Sequence, residues 1–418
     1  MTKRTLLFLI LVLGFFRISA QDLTQQITPG RVNSPEQQKK PYVILISADG
    51  FRYDFADKYE AKNLQGFKQK GASAPYMLPS YPSLTFPNHY SIVTGMYPGH
   101  HGLVDNSFHD KSRAEGYGMG NKKAVADGTW YGGTPLWVLA EQQKMISASF
   151  YWVASESDIQ GIKPTYFYNY NEKIGMDTRI QTVKEWLQLP EEKRPHLITF
   201  YFPEVDHEAH YSGPDSKKTG ESVKLVDESI AKLVATVDSL GLPVNFVFVS
   251  DHGMVLSDNK YPILLPQAVD TAKFIVPYGS SQLHLYAKSK QDIKPTYKAL
   301  KKEAKFYDVY LKKNIPKQWH YGKKDDKFNR VGDILLVAHY PKTFGLNGRG
   351  GTPGKHGYDP VNKEMHASFA AWGPAIKENY KIGGFENVNV YPLITKILGL
   401  EYHHKIDGNP KVLNEILK

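Results

Sequence analysis

The sequence contains no cysteine among its 418 residues. Disulfide bonds, thiolate metal sites, a cysteine nucleophile and a lipid-modified cysteine are therefore excluded. The chain has to fold without covalent cross-links, and it is long enough to bury a large core. Any metal site must be built from carboxylate and imidazole side chains.

Long apolar runs are missing after the first twenty residues, so no membrane span is predicted in the remainder. Residues 1–20 place two basic residues before a short apolar run and end in small residues at Ala20. This pattern is typical of a secretory signal peptide, and its apolar core is too short to span a bilayer stably. We expect an exported protein, periplasmic or secreted, with a polar linker over residues 21–40.

The formal net charge is +10, and Lys3, Arg4 and Arg17 of the predicted signal peptide carry three of these charges. Much of the remaining excess is lysine between residues 297 and 326. A lysine-rich run is usually a solvated surface, and the alternative is that it mildly attracts anionic substrates. No zinc-finger, helix-turn-helix or RNP-like motif accompanies it, so no specific nucleic-acid site is predicted.

Three continuous, β-branched apolar runs have strand length: "YVILISA" from Tyr42, "HLITFYF" from His196 and "VNFVFVS" from Val244. Such runs suit strands buried on both faces of a parallel sheet. Further strand candidates are "DILLVAH" at Asp333 and "ASFAAWG" at Ala367.

Helical patterns such as "TPLWVLAEQQ", "DTRIQTVKEWLQL" and "SVKLVDESIAKLVATVDSL" lie between the strands. This alternation predicts an α/β fold with a doubly wound, mostly parallel central sheet flanked by helices. We expect one domain over residues 41–418, with a smaller inserted lobe at about 261–346.

Ionisable side chains follow the predicted strands or lie in glycine-rich turns, and they are Asp49, Asp206, His210, Asp251, His252 and His356. Taken singly, each has a structural explanation, because an Asp after a strand often caps a helix and a loop His is usually solvated. Ligands of such sheets nevertheless gather at the carboxyl ends of the strands. Three Asp and three His supply two sets of zinc ligands, and two metals about 4 Å apart clamp an in-line displacement at phosphorus.

Thr85 stands directly ahead of a predicted helix in "PSLTFPNHYSIVTG". A threonine there is commonly a helix cap, and a proline just inside the helix fits that role. The alternative is a nucleophile, which requires activation by a base or a metal.

The segments "ADGFR", "PSYPSLTFPNHYSIVTGMYPGHHGLVDNSF", "TPLWV", "PEVDHEAHYSGP", "SDHGM" and "KHGYDP" together resemble the nucleotide pyrophosphatase/phosphodiesterase family of the alkaline phosphatase superfamily. The resemblance begins at about residue 41 and is weakest between 261 and 346. It implies an alkaline-phosphatase-like fold and a phospho-threonine intermediate on Thr85. It further implies one zinc on Asp206, His210 and His356, a second zinc on Asp49, Asp251, His252 and Thr85, and a hydrogen bond from Asn106 to a phosphate oxygen.

The neighbouring residues favour diester substrates. The related threonine phosphomonoesterase carries a Lys-x-Arg pair where this chain has Tyr151 to Ser157, a stretch without Lys or Arg. Sulfatases need a Cys or Ser in a C/S-x-P-x-R motif, which is missing at Thr85. The resemblance places Phe86, Tyr170 and Tyr201 around a nucleoside base, with Tyr168 as the other register for Tyr170 and core packing as the other role of Phe86 and Tyr201.

We therefore expect an exported bacterial enzyme with two zinc ions that releases nucleoside 5'-monophosphates and is monomeric. One alternative is a phospholipid or glycerophosphodiester hydrolase, in which Glu204 or Glu208 holds a quaternary ammonium group. A phosphomonoesterase and a catalytically silent binding protein on the same fold are the others.

Overall fold

The computed structural model describes residues 23–345, 348 and 351–418, and the predicted signal peptide lies outside them. The strands are β1 (Gln26–Ile27), β2 (Tyr42–Ala48), β3 (Ala72–Ser73), β4 (Met77–Leu78), β5 (Ser107–Asp110), β6 (Glu115–Gly118), β7 (Ser147–Phe150), β8 (Tyr166–Tyr168), β9 (Leu197–Phe202), β10 (Val244–Val249), β11 (Val255–Leu256), β12 (Asp258–Ile263), β13 (Phe274–Ile275), β14 (Gln282–Ala287), β15 (Tyr307–Leu311), β16 (Ile334–Ala338), β17 (Lys342–Phe344), β18 (Gly354–Lys355), β19 (Phe369–Trp372), β20 (Tyr380–Lys381) and β21 (Phe385–Glu386). The helices are α1 (Phe55–Lys58), α2 (Lys62–Lys70), α3 (Thr85–Thr94), α4 (Pro98–His101), α5 (Lys122–Ala126), α6 (Leu136–Gln142), α7 (Met176–Leu187), α8 (Glu204–Ser212), α9 (Lys217–Asp238), α10 (Ile293–Glu303) and α11 (Val390–Leu398).

The main sheet has the strand order β1-β8-β7-β9-β2-β10-β19-β3-β20. The pairs from β8 to β10 in this order are parallel, whereas β19 is antiparallel to both of its neighbours. The predicted strands β2, β9 and β10 are neighbours at the centre, and all three are buried along their whole length. The predicted α/β fold with a mostly parallel centre is confirmed.

Helices cover both faces of this sheet. Along β2, Val43 and Leu45 pack into one apolar cluster with residues of α3, α6 and α11, while Ile44 and Ile46 pack into a second cluster with residues of α2, α7 and α9. Successive strand residues point to opposite faces, so a strand buried on both sides must be apolar throughout. This explains why the central strands read as continuous apolar runs.

A second sheet, with the order β13-β14-β16-β15, is antiparallel and lies within the stretch in which the sequence predicts a smaller lobe. Leu300 of helix α10 packs with residues of β14, β15 and β16 in an apolar cluster that is separate from the two clusters of the main sheet. The segment at Asp333, a strand candidate in the sequence, is therefore β16 of this second sheet and not part of the main one. Its apolar residues would suit a strand of either sheet, and only its pairing with β14 and β15 decides which sheet it joins.

Residues 26–40, part of the predicted polar linker, pack against the domain instead. Strand β1 pairs with β8 at the edge of the main sheet. Asn33 is buried, its amide donates to the backbone oxygens of Glu191 and Arg194, and its side-chain oxygen accepts from the N–H of Ile146. Polar composition suggests a linker, but here the polar side chains bond to backbone groups that would otherwise be unsatisfied.

None of the helices in the described part of the chain is long and apolar enough to cross a membrane.

A histidine ion pair ties α4 to the C-terminal segment and makes stability depend on pH. His100 lies between Asp407 and Asp325, with Nδ1 2.7 Å and Nε2 3.3 Å from their carboxylates. Burial lowers the pKa of His100, but the hydrogen bonds and charges of the two carboxylates outweigh it and raise the pKa overall. A raised folded-state pKa stabilises the protein below the unfolded value of about 6.5, and this contribution is lost as pH rises through the folded-state pKa.

We expect His100→Gln to lower the thermal midpoint more at pH 5.5 than at pH 8.5. The difference corresponds to about 1 kcal/mol or less, because solvent screens a partly exposed pair. Differential scanning fluorimetry at both pH values measures it. His339→Gln is the matched control, since His339 and its partner Asp308 are both about half exposed, at 49% and 52%. An equal loss at the two pH values would contradict the prediction.

Candidate active site

Three neighbouring strands of the main sheet deliver acidic residues to one edge. Asp49 follows β2 directly, Asp251 lies two residues after the end of β10, and Asp206 lies in α8 just after β9. Gly50 has a φ of +64°, and a Cβ on it would lie 3.0 Å from atoms of Asp206. Glycine is therefore needed there both for the left-handed conformation and for the close approach of the two segments.

The first predicted ligand set is Asp206, His210 and His356. Asp206 and His210 are one helical turn apart on α8, and His210 Nε2 lies 3.5 Å from Asp206 Oδ2. His356 follows β18, and its Nε2 lies 3.8 Å from Asp206 Oδ1 and 3.1 Å from His210 Nε2. One ligand atom from each residue lies within 4.8 Å of the others, which is a spacing that a single metal ion can bridge.

The second predicted ligand set is Asp49, Asp251 and His252. His252 Nε2 lies 2.9 Å from Asp251 Oδ2 and 3.4 Å from Asp49 Oδ1. The imidazole rings of His252 and His356 stack with their centroids 3.6 Å apart, so the two sets adjoin. Asp206 lies between them, because it also groups with Asp49 and His252 within 4.8 Å.

Each of the three histidines turns Nδ1 towards a backbone carbonyl. The acceptors are Gly354 O for His210, Gly253 O for His252 and Ser83 O for His356, at 2.8, 2.8 and 2.9 Å. A carbonyl can only accept, so Nδ1 carries the proton and a neutral ring presents the Nε2 lone pair to the centre. Metal-binding histidines are usually oriented in this way by a second hydrogen bond.

The carboxylates of the cluster lack partners on the side that faces the centre. Asp49 Oδ1, Asp206 Oδ1 and Asp251 Oδ2 are buried and have no hydrogen-bond donor. Burial, followed by the charges of Asp251 and Asp206, raises the pKa of Asp49 well above its ordinary value. Buried carboxylates this close together need a compensating cation, so the residues present fit metal binding.

Thr85 is the first residue of α3, and its side chain points to the second ligand set. Its Oγ1 lies 3.2 Å from His252 Nε2. The helix has Leu84 at the capping position and no side-chain cap. The hydroxyl therefore faces the cluster and does not act as the helix cap that its position suggests.

Asn106 lies just before β5 and touches the helix that begins at Thr85. Its side-chain oxygen accepts the backbone N–H of Phe86 at 3.0 Å. Because an N–H can only donate, this contact fixes the amide orientation and leaves the Asn106 NH₂ group free to donate elsewhere.

The three aromatic residues predicted to hold a base differ in exposure. Phe86 is half-buried, Tyr170 is 46% exposed and Tyr201 is only 7% exposed. The Tyr201 hydroxyl donates to Asp49 Oδ2 at 2.6 Å, so this residue orients a member of the second ligand set. Its ring lies 6.1 Å from that of Tyr170, and base binding by Tyr201 stays a prediction.

His89 is a neighbour of the site that the sequence analysis missed. It is fully buried, its Nε2 lies 2.8 Å from Ser47 Oγ, and its Nδ1 lies 3.3 Å from Asp251 Oδ2. The available signal was its spacing, since His89 follows Thr85 by one helical turn and therefore lies on the same side of α3.

Comparison with known proteins shows the family of this chain. Residues 43–359 match the family model described as type I phosphodiesterase / nucleotide pyrophosphatase. The chain belongs to this family. The matched range contains Thr85, Asn106 and both ligand sets.

Curated relatives agree with the family model. The chain is 33% identical over 404 residues to mouse ectonucleotide pyrophosphatase/phosphodiesterase family member 1, covering 92% of this chain and 43% of that protein. It is 32% identical over 405 residues to venom phosphodiesterase CdcPDE of Crotalus durissus collilineatus, covering 93% and 48%. The chain thus spans less than half the length of these two relatives.

Solved structures of the family superpose well on this fold. Murine ectonucleotide pyrophosphatase/phosphodiesterase 5 matches with a TM-score of 0.83 at 27% identity, covering 90% of this chain and all of that one. An inactive form of the same murine protein, with a threonine replaced by alanine and in complex with AMP, matches with a TM-score of 0.84 at 27% identity and covers 91% of this chain and all of that one.

Proposed function

We propose that this chain is an exported phosphodiesterase that hydrolyses phosphodiester or pyrophosphate bonds of nucleotides and releases nucleoside 5'-monophosphates. The observation that carries the proposal is the Thr85 hydroxyl at the start of α3, directed into a cluster of three carboxylates and three imidazoles. Family membership supports it, as does the AMP bound in the murine relative. We further propose a monomeric, periplasmic or secreted bacterial protein with one domain over residues 41–418 and an inserted lobe at about 261–346.

The two ligand sets are proposed to hold one zinc ion each, because carboxylate and imidazole donors suit zinc. When bound, zinc supplies Lewis acidity that lowers the pKa of a nearby hydroxyl and neutralises charge on the transferring phosphoryl group. Asp206, His210 and His356 would hold one ion, and Asp49, Asp251 and His252 the other.

Thr85 is the proposed nucleophile. Its Oγ releases its proton and attacks phosphorus, the bond to the leaving group breaks on the opposite side, and the leaving group takes up one proton, so that no net proton is consumed. The product is a threonine ester of the nucleoside monophosphate, which water then hydrolyses. The start of α3 favours this chemistry, because the positive end of the helix dipole stabilises negative charge on Oγ.

Asn106 is the proposed donor to a non-bridging phosphoryl oxygen. Since Phe86 N–H occupies its side-chain oxygen, only the NH₂ group can face the substrate. A donor held in place before the reaction stabilises developing charge without reorganisation.

Recognition of a base is assigned to Phe86, Tyr170 and Tyr201, whose rings lie on segments next to the ligand sets. In the choline alternative Glu204 is the weaker candidate, because Arg179 at 2.7 Å already compensates its charge, whereas Glu208 only accepts a hydrogen bond from Ser212.

The test uses the p-nitrophenyl ester of thymidine 5'-monophosphate, bis(p-nitrophenyl) phosphate and p-nitrophenyl phosphate, each with added zinc. We expect the nucleotide diester to be hydrolysed fastest, with kcat/KM roughly tenfold or more above the simple diester, because stacking of a base contributes about 1–3 kcal/mol. A preference for the monoester would identify a phosphatase instead. Zinc binding without turnover of any ester would identify a silent binding protein.

A further inference from the structure

Gln282 connects the second sheet to two loops of the site. It is the first residue of β14 and is 1% exposed. Its Oε1 accepts from the Tyr81 hydroxyl at 2.7 Å, and its Nε2 donates to Asp105 Oδ2 at 2.6 Å. The two ends of one amide thus hold two residues that lie on separate loops of the chain.

The Asp105 contact fixes the backbone around Asn106. The other oxygen of Asp105, Oδ1, accepts the N–H of Ser107 at 3.1 Å. An Asp side chain that bonds two residues ahead closes an Asx turn, and here the residue enclosed by the turn is Asn106.

The Tyr81 contact fixes the segment that leads to Thr85, four residues further on. The Tyr81 ring stacks on Trp319 with centroids 3.9 Å apart and an interplanar angle of 9°. With its ring stacked and its hydroxyl bonded to Gln282, Tyr81 has little freedom, and the loop before Thr85 is held at a defined place.

The polarity of this network is defined at every position. Asp105 can only accept, so the end of Gln282 that faces it must be the NH₂ group and the end that faces Tyr81 must be the oxygen. Nearby His284 accepts Gly332 N–H at Nδ1, so its Nε2 carries the proton and faces the Tyr321 hydroxyl at 3.2 Å and Asp105 Oδ2 at 3.5 Å. The network is buried and complete, and removing one member leaves unsatisfied polar groups.

We propose that Gln282 is a positioning residue: it sets the separation between the Thr85 loop, residues 81–85, and the Asn106 loop, residues 105–107. The inference rests on the proposed function, in which Thr85 Oγ and the Asn106 NH₂ group act on the same phosphoryl group. A misplacement of about 1 Å between such groups can cost on the order of a hundredfold in rate. The second sheet therefore contributes to catalysis without touching the substrate.

The test exchanges the donor and the acceptor between Gln282 and Asp105. Gln282→Glu places a second carboxylate where an amide now donates to Asp105 at 2.6 Å, and the link is broken when both carboxylates are ionised, so turnover is compared at pH 7 and pH 9. The double variant Asp105→Asn, Gln282→Glu restores the link with reversed polarity. The amide introduced at position 105 donates to the new carboxylate, which still accepts from Tyr81, and the oxygen of that amide still accepts the N–H that closes the Asx turn.

We expect Q282E to lower kcat roughly 10–100-fold, a range typical of residues that orient catalytic groups, with little change in KM for the thymidine ester. The double variant should recover most of this loss. Tyr307→Phe is the matched control, because it removes a buried hydroxyl of β15 in the same sheet; the Tyr307 ring packs on Phe344 and its hydroxyl lies near Glu303, away from both loops. Its kcat should remain that of the wild type.

Hydrogen–deuterium exchange gives a readout that does not depend on turnover. Peptides covering residues 81–90 and 103–110 should exchange faster in Q282E and recover protection in the double variant, while Y307F leaves them unchanged. Wild-type kcat in Q282E, or equal losses in Q282E and the double variant, would overturn the positioning role. If the wild type hydrolyses no ester but the exchange pattern holds, the proposed function fails and the coupling of the loops stands.

Discussion

Thr85→Ala is expected to lower diester turnover by at least about a thousandfold, because removal of the nucleophile leaves no path to a covalent intermediate. Thr85→Ser is the matched variant, since it keeps a hydroxyl at the start of α3 and should keep part of the activity. The zinc content of each variant is measured in parallel, so that loss of metal is distinguished from loss of the nucleophile. Wild-type turnover in the alanine variant would contradict the assignment.

The intermediate itself offers a direct check of the same prediction. Acid quenching during turnover of the thymidine ester should trap wild-type protein with one added thymidylate group, and peptide mapping should place it on Thr85. The alanine variant should show no adduct. An adduct on another residue would move the nucleophile elsewhere.

Removal of one ligand from either set is expected to abolish binding of one zinc ion. His356→Ala takes a ligand from the first set and Asp251→Ala takes one from the second, so each variant should bind one ion where the wild type binds two. Turnover should fall more than about a hundredfold, because even residues that only orient metal ligands cost up to that much. Elemental analysis after dialysis measures the metal content, with His403→Ala, which removes an exposed imidazole, as the control.

Chelation should also lower the thermal midpoint of the wild type, and added zinc should restore it. The reason is that three buried carboxylate oxygens face the centre without a partner. A ligand that binds only the folded state stabilises it by about 2.7 kcal/mol at a concentration one hundred times its Kd. Two retained ions in the His356 variant, or no response to chelation, would contradict the two-site arrangement.

Local pattern was sufficient for the central strands and the main helices. Strands β2, β9 and β10 are apolar throughout because both of their faces are covered, and α9 carries a strong helical period. The clustering of Asp49, Asp206 and Asp251 also followed from the sequence, since the carboxyl ends of neighbouring parallel strands meet at one edge.

Local pattern was insufficient where a residue's partner is distant in the chain. The β16 segment has the pattern of a strand in either sheet, and its pairing with β14 decides which sheet it joins. Residues 26–40 have the polar composition of a linker, and the backbone groups that their side chains bind lie far away in the sequence. His89 reads as one more polar residue of a helix, although it contacts Asp251, which lies far from it in the sequence.

The sequence by itself determined the fold class, the family and the chemical types at the site, because periodicity, strand-end placement and motif spacing are properties of short segments. Only the tertiary structure decided that the Thr85 hydroxyl faces His252, that the imidazoles present Nε2 to the centre, and that Gln282 joins two loops to the second sheet. These features depend on side-chain directions and on contacts between segments as much as 273 residues apart, which no local pattern encodes.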